Sequence, residues 1–329
     1  MLRILHGTNY DFIRWWRWAL GLTVAFIILG LGALTFRGVN RSIEFTGGTL
    51  MQLEFAKPVD VAVLRGVLDS AGISGAEIQQ FGTNREYTVR AQETAKTGTA
   101  GPGAETRSRQ IDNLLTQRYG AANVKVVRTE AVGPKVGTEL TRDAILALLL
   151  SFLVTTVYLA IRFEWRFGVA ALVATGHDVL TTVAFISLMH LEISLTVVAA
   201  ILTVLGYSLN DTIIIFDRVR ENLRKGRKES LYETLNRSIN ETLPRSILTH
   251  ATTFAATLAL LFFAGEVIRP FAWVMAFGIF TGTFSSIYIA SPVLLWIERK
   301  WPRRTTAFQT SSTATRTSPT RRSPATATR

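Results

Sequence analysis

The hydrophobic and polar positions follow two regimes along the chain. Long apolar runs separated by charged breaks lie within 18–36 and 141–297, and short mixed segments fill the stretch between them. The first run, "WALGLTVAFIILGLGALTF" from Trp18 to Phe36, carries no charge. Its length suits a hydrocarbon core about 30 Å thick. A cleaved leader has a shorter apolar region and an A-x-A site, so the run predicts a membrane anchor. Further runs at Thr141–Ile161, Phe167–Met189, Ile193–Phe216, Ser246–Ala264 and Phe271–Ile297 raise the number of predicted spans to six. The pattern therefore predicts a polytopic α-helical membrane protein. Its expected organisation is an N-terminal segment at 1–17, a first transmembrane helix at 18–36, an extracytoplasmic α+β domain at 37–140, and a five-helix membrane domain at 141–300. A cytoplasmic loop is expected at 217–244 and a disordered cytoplasmic tail at 301–329.

The inserted segment has a different periodicity. "TLMQLEFA" alternates as a strand does. "DVAVLRGVLDSAG" places Val61, Leu64, Leu68 and Ala71 on one helical face, with Asp60 as the N-cap. "AEIQQFG" and "REYTVRAQ" predict two short strands joined in a hairpin. "ETAKTGTAGPGA" is expected to be a flexible loop. "ETRSRQIDNLLTQRYG" aligns Ile111, Leu114, Leu115 and Tyr119 on a second helix, and "NVKVVRTEAVG" is a last strand. The order β-α-β-β-α-β is the ferredoxin-like arrangement.

Charge refines the picture. The chain has 36 Lys and Arg against 24 Asp and Glu, and a net charge of +12. The basic residues border the apolar runs and fill the tail rather than forming a soluble patch, so no nucleic acid partner is expected. Contact of the tail with anionic membrane lipid or ribosomal RNA is the alternative. Arg162 and Arg166 lie between spans two and three. Seven basic residues lie between Asp217 and Pro244, and "ERKWPRR" follows span six. "HLEIS" has none and "GEVIRP" has one. The positive-inside rule then places both termini in the cytoplasm and the insertion outside. With no cysteine there is no disulfide framework and no thiolate metal site.

The candidate chemistry lies in polar residues inside the spans. Asp178 is twelve residues beyond Arg166, about 18 Å along the helix and near the bilayer midplane. Thr175, Thr181 and Thr182 share its side. Asp211 is about 9 Å from the cytoplasmic end of span four, with Asn210 beside it and Tyr207, Ser208 and Arg218 on its face. Arg245 opens span five, with Thr249 and Thr252 on the same stripe. Gly206, Tyr207 and Ser208 are expected to weaken the helix before Asp211, as at transporter ion sites. Charges within spans are costly and mark functional sites facing a bundle interior. The alternative is an Asp211–Arg245 pair that only locks two helices. Desolvation favours a neutral carboxyl group and a nearby guanidinium the ionised one, so a group held between them can load and release a proton. "GIFTG" at Gly278–Gly282, with Ser285 and Ser286, gives span six a small-residue face for close packing.

Four motifs resemble one family. "SIEFTGGT" after span one, "VGPKVGTEL" before span two, "YSLNDTIIIFDRVREN" closing span four and "TLPRS" opening span five are similar to the SecD/SecF family of bacterial protein-export proteins, within the RND superfamily. The resemblance runs from about residue 8 to 300. It implies a SecF-type subunit of the bacterial inner membrane, paired with SecD beside the SecY/SecE/SecG channel, with YajC and YidC as further partners and a translocating polypeptide as cargo. It implies use of the proton-motive force. Asp211 matches the carboxylate of the proton pathway and Arg245 its basic partner, with Asp178 and Asn210 in the same pathway. Phe45, Thr46, Gly47, Gly48 and Thr49 match the motif that couples the membrane to the external domain. Glu44 stands where Asp is expected at least as often, and His250 where a small residue is expected.

Absent motifs narrow the function. There is no phosphate-binding loop, no HExxH and no G-x-S-x-G, so neither cofactor nor enzyme chemistry is expected. An intramembrane aspartyl protease using Asp178 and Asp211 is one alternative, though its Gly-x-Gly-Asp context is missing. Half of an RND-type lipid or drug exporter and a non-transporting scaffold are the others.

Overall fold

The computed structural model describes residues 8–73, 75–80, 83–91, 104–225, 229–265 and 267–302. The tail from 303 onward, nearly all of the "ETAKTGTAGPGA" segment and positions 226–228 lie outside the described residues.

Among the described residues six helical segments are long and apolar enough to cross a membrane. They are α1 (Trp16–Arg37), entered through a short 3-10 turn at Ile13–Trp15; α5 (Pro134–Arg162); α6 (Trp165–Leu188); α7 (Leu195–Arg224); α8 (Leu231–Phe263); and a composite sixth span. The sixth comprises α9 (Arg269–Ser285), a π-helical turn (Ser286–Ala290) and α10 (Ser291–Lys300). The spans α6, α7 and α9–α10 are central, whereas α1, α5 and α8 carry largely open apolar faces. Ile28, Leu29, Leu150, Val154, Ile161, Phe262 and Phe263 are all exposed. So much open apolar surface is costly in water and natural in lipid.

Helix ends differ from the apolar runs for identifiable reasons. α5 begins seven residues before Thr141, because Pro134 at its start and the polar turn that follows project beyond the apolar stretch. α8 begins at Leu231, with Ser230 and Glu233 forming a capping box, and it runs on through Pro244. Pro244 has no N–H to give the Asn240 carbonyl, and its ring crowds that carbonyl, yet the helix continues through it. The helix α7 is continuous through Gly206, contrary to the expected weak point; the irregular backbone sits instead at Ser286–Ala290.

Between α1 and α5 lie a short helix α2 (Ile43–Thr46), then β1 (Gly48–Phe55), α3 (Val61–Ser70), β2 (Glu77–Gln80), β3 (Glu86–Ala91), α4 (Ala104–Tyr119) and β4 (Val124–Val132). The four strands form an antiparallel sheet in the order β2-β3-β1-β4, the ferredoxin-like topology. Met51, Leu53 and Phe55 of β1 alternate inward and pack with Leu64 and Leu68 of α3 and Ile111 and Leu115 of α4. Asp60 caps α3 by accepting from the Ala62 N–H at 2.7 Å. A bulge between Gln52 and Leu53 interrupts the β1–β4 register and works against further pairing along that edge.

Candidate functional site: two buried carboxylates and a backbone junction

Small residues let the central helices approach closely. A Cβ on Gly278 would lie 2.1 Å from Val204 Cγ2, and one on Gly282 would lie 3.0 Å from Ser208 Cβ. α9 therefore lies against α7 along the face that carries Ser208 and Asp211.

Asp178 on α6 and Asp211 on α7 are almost fully buried, 1% and 2% exposed. Each is held by two serine hydroxyls. Ser208 Oγ and Ser285 Oγ donate to Asp178 Oδ2, the latter at 2.7 Å. Ser246 Oγ donates to Asp211 Oδ1, and Ser286 Oγ donates to Asp211 Oδ2 at 2.7 Å. His177 Nδ1 lies 3.1 Å from Asp178 Oδ1. Hydroxyl donors offset the desolvation of a carboxylate, each contributing about 1.5–3 kcal/mol. The two groups tie α6, α7 and the sixth span into a ring of polar contacts, and Ser246 joins α8 to it. Among the described residues no hydrogen bond joins the two carboxylates directly, and each has its own pair of serine donors.

The other pathway candidates lie on a different surface. Asn210 and Arg245 are exposed, and each precedes by one residue a member of the Asp211–Ser246 hydrogen bond. Thr249 and Thr252 continue the exposed stripe of α8. No ion pair joins Arg245 to Asp211 in this structure; Ser246 takes the place expected for Arg245. Tyr207 bridges to α8, its hydroxyl donating to the Thr249 carbonyl at 3.3 Å. The His250 ring packs edge-on against it at 5.2 Å and hydrogen-bonds the Ser246 carbonyl. In the sequence Ser208, Ser285 and Ser286 stand only as small or same-face residues, and Ser246 only as the start of a span. Serines inside apolar spans were the available signal.

The motif from Phe45 to Thr49 lies at the junction of several helix ends. Gly47 adopts φ +74°, and a Cβ there would lie 2.9 Å from Pro134 Cα, so the turn crosses the start of α5 at backbone contact. A Cβ on Gly137 would lie 3.0 Å from Gly47 N and 3.1 Å from the Phe45 carbonyl oxygen. Thr49 and Phe45 are buried. Upstream, the Ser42 N–H donates to the Ile193 carbonyl at 2.9 Å and the Ile193 N–H to the Asn40 carbonyl at 2.7 Å. Glu44 accepts from the Leu195 N–H at 2.6 Å and so caps α7, the helix that carries Asp211. Above this junction Arg90 of β3 pairs with Glu192 of the α6–α7 turn at 2.6 Å. A cleft of about 270 Å³ lies between the sheet and that turn.

Comparison with known proteins gives concordant matches. The family description "Protein export membrane protein SecD/SecF, C-terminal" matches residues 112–300, and "SecD/SecF GG Motif" matches residues 32–59. The chain is 60% identical over 305 residues to the protein translocase subunit SecF of Gemmatimonas aurantiaca, covering 92% of this chain and 91% of that protein. It is 38% identical over 296 residues to the SecF of Escherichia coli O157:H7, covering 90% of each. The crystal structure of SecDF, a translocon-associated membrane protein from Thermus thermophilus, superposes with a TM-score of 0.78 at 36% identity. That match covers 91% of this chain and 40% of the SecDF chain. SecDF in a super-membrane-facing form gives a TM-score of 0.65 at 37% identity, over 90% and 40%. The chain thus spans two fifths of the SecDF length.

Proposed function

From the premise that this chain belongs to the SecD/SecF family of protein-export membrane proteins, we propose that it is the SecF-type subunit of a protein translocase. In this reading it pairs with a SecD partner and uses the proton-motive force to advance exported polypeptides emerging from the SecY channel. It sits in the inner membrane with both termini cytoplasmic, and the α+β domain faces the cargo.

The observation that carries the reading is Asp211, a carboxylate buried within a continuous membrane helix and held by Ser246 and Ser286. A charge in that setting is expensive, and ionisable groups held inside membrane spans mark functional sites. Loading a proton removes one unit of charge where the dielectric is low, which changes the preferred packing of the helices that bind it. Asn210 and Arg245 give α7 and α8 an exposed polar stripe at membrane depth, which calls for a partner helix rather than lipid. SecD supplies that partner, and Arg245 then serves the pathway at the shared surface. Movement of α7 reaches the external domain through Glu44 and through the Phe45–Thr49 junction with α5. The exporter alternative lacks comparable support, since the relatives described above are translocase subunits.

Export into membrane vesicles tests the reading. Asp211→Asn keeps the shape and removes the titration. It is expected to insert and co-purify with SecD, yet to lose the stimulation of export by a proton gradient. Full gradient dependence in Asp211→Asn vesicles would make the carboxylate structural and end the proposal.

A further inference from the structure

We infer that Ser285 and Ser286 are positioning residues that read the charge on Asp178 and Asp211 and pass it to the sixth span. The inference rests on the proton-carrier reading above and adds the step from charge to movement.

Each serine hydroxyl has one proton and two acceptors in reach. Ser285 Oγ lies 2.7 Å from Asp178 Oδ2 and 3.1 Å from the carbonyl of Gly282 in its own helix. Ser286 Oγ lies 2.7 Å from Asp211 Oδ2 and 3.0 Å from the carbonyl of Thr283. An ionised carboxylate is the stronger acceptor and takes the hydroxyl proton. A protonated carboxyl group loses that advantage and becomes a donor itself. Its O–H then donates to the serine oxygen, and the serine proton turns to the helix carbonyl. One proton enters, no covalent bond other than the carboxyl O–H changes, and every donor keeps an acceptor.

A second feature shows why this exchange would be felt along the helix. The π-helical turn begins at Ser286, and Ser291 Oγ donates to the Ser286 carbonyl at 3.1 Å. π turns are uncommon, and they concentrate at functional sites. Adjacent residues at the boundary of α9 and the π turn therefore contact carboxylates on two different helices, α6 and α7. Both serines are fully buried, so neither has water as a substitute partner. The groups facing the carboxylates are few. His177 lies beside Asp178, and Ser208 contacts it from α7. Ser246 contacts Asp211 from α8, where Arg245 and His250 flank it in sequence.

The test uses vesicles bearing the complete translocase together with difference infrared spectroscopy of the purified SecD-containing complex. The Asp211 carboxyl band is assigned by its absence in Asp211→Asn. Ser286→Ala is expected to move that band to higher frequency, because the carboxyl group loses a hydrogen-bond partner. It is also expected to reduce gradient-dependent stimulation about tenfold, the scale of one hydrogen bond to a charged group. Ser286→Cys, of similar size and with a weaker donor, should lie between and decides the matter if the alanine variant does not accumulate. Thr281→Ala removes a buried hydroxyl one turn away that bonds only its own helix, and it should leave both readouts unchanged. An unchanged band or unchanged stimulation in Ser286→Ala overturns the inference while leaving Asp211 as carrier, provided Asp211→Asn has lost coupling. Full coupling in Asp211→Asn overturns both.

Discussion

Gly47→Ala separates two costs that the structure assigns to one position. Gly38 and Gly47 have nearly the same backbone, φ +75° and ψ −174° against φ +74° and ψ 158°. Both lie in a region essentially reserved for glycine, where a side chain costs about 1–3 kcal/mol. Their surroundings differ. A Cβ on Gly38 meets nothing within 4 Å, whereas one on Gly47 meets Pro134 Cα at 2.9 Å and Pro134 N at 3.1 Å. Those are backbone atoms that cannot swing aside, so overpacking adds about 1–3 kcal/mol. Gly38→Ala should therefore cost about 1–3 kcal/mol and Gly47→Ala about 2–6 kcal/mol. Native-state hydrogen exchange in the segment from Ser42 to Gly47 reads both, since the Ser42 N–H is bonded to Ile193 and the Gly47 N–H to Ile43. Protection there should fall about 5- to 150-fold further in Gly47→Ala than in Gly38→Ala. Equal losses in the two variants would mean that the junction with α5 is not tight and that Gly47 serves only the turn.

Two other expectations follow from the same contacts. Glu192→Ala leaves the largely buried Arg90 with only Glu77 at 3.4 Å, and should destabilise docking of the external domain by about 1–3 kcal/mol, the cost of a buried donor left without its partner; a strictly additive double-mutant cycle with Arg90→Met would show that the pair is uncoupled. The chain has no cysteine, so single replacements report topology cleanly: Val127→Cys should react with an impermeant maleimide in intact cells and Arg224→Cys only after permeabilisation, and the reverse pattern would invert the orientation.

The spans were legible because crossing a bilayer needs unbroken apolar length, and that is a property of sequence alone. Their ends were less so. The helix α8 reaches back to Leu231 because its cytoplasmic half is amphipathic and is capped by Ser230 and Glu233, and Pro244 reads as a boundary when it is an interior residue. The βαββαβ order was readable from period-2 and period-3.6 patterns, and the sheet order follows from it. Asp178 and Asp211 stood out as charges among apolar neighbours, and both are buried. The side on which Arg245 falls was not readable. Successive helical residues turn by about 100°, so the face that meets Asp211 is set by how α8 packs, and Ser246 occupies it. The π turn has no signature in composition, and the serine partners became visible only once four helices were assembled. Glu44, read as a minor departure, turned out to cap α7.

On the proposed mechanism, the charge on Asp211 moves the external domain. Spin labels on Val127→Cys in that domain and Ile268→Cys in the α8–α9 turn, both at exposed positions, measure this in proteoliposomes containing the SecD partner. The distance distribution should shift when a proton gradient is imposed, and Asp211→Asn should hold one distribution whatever the gradient. A gradient-driven shift that persists in Asp211→Asn, or no shift in the unmodified protein, would mean that the charge on Asp211 does not drive the domain.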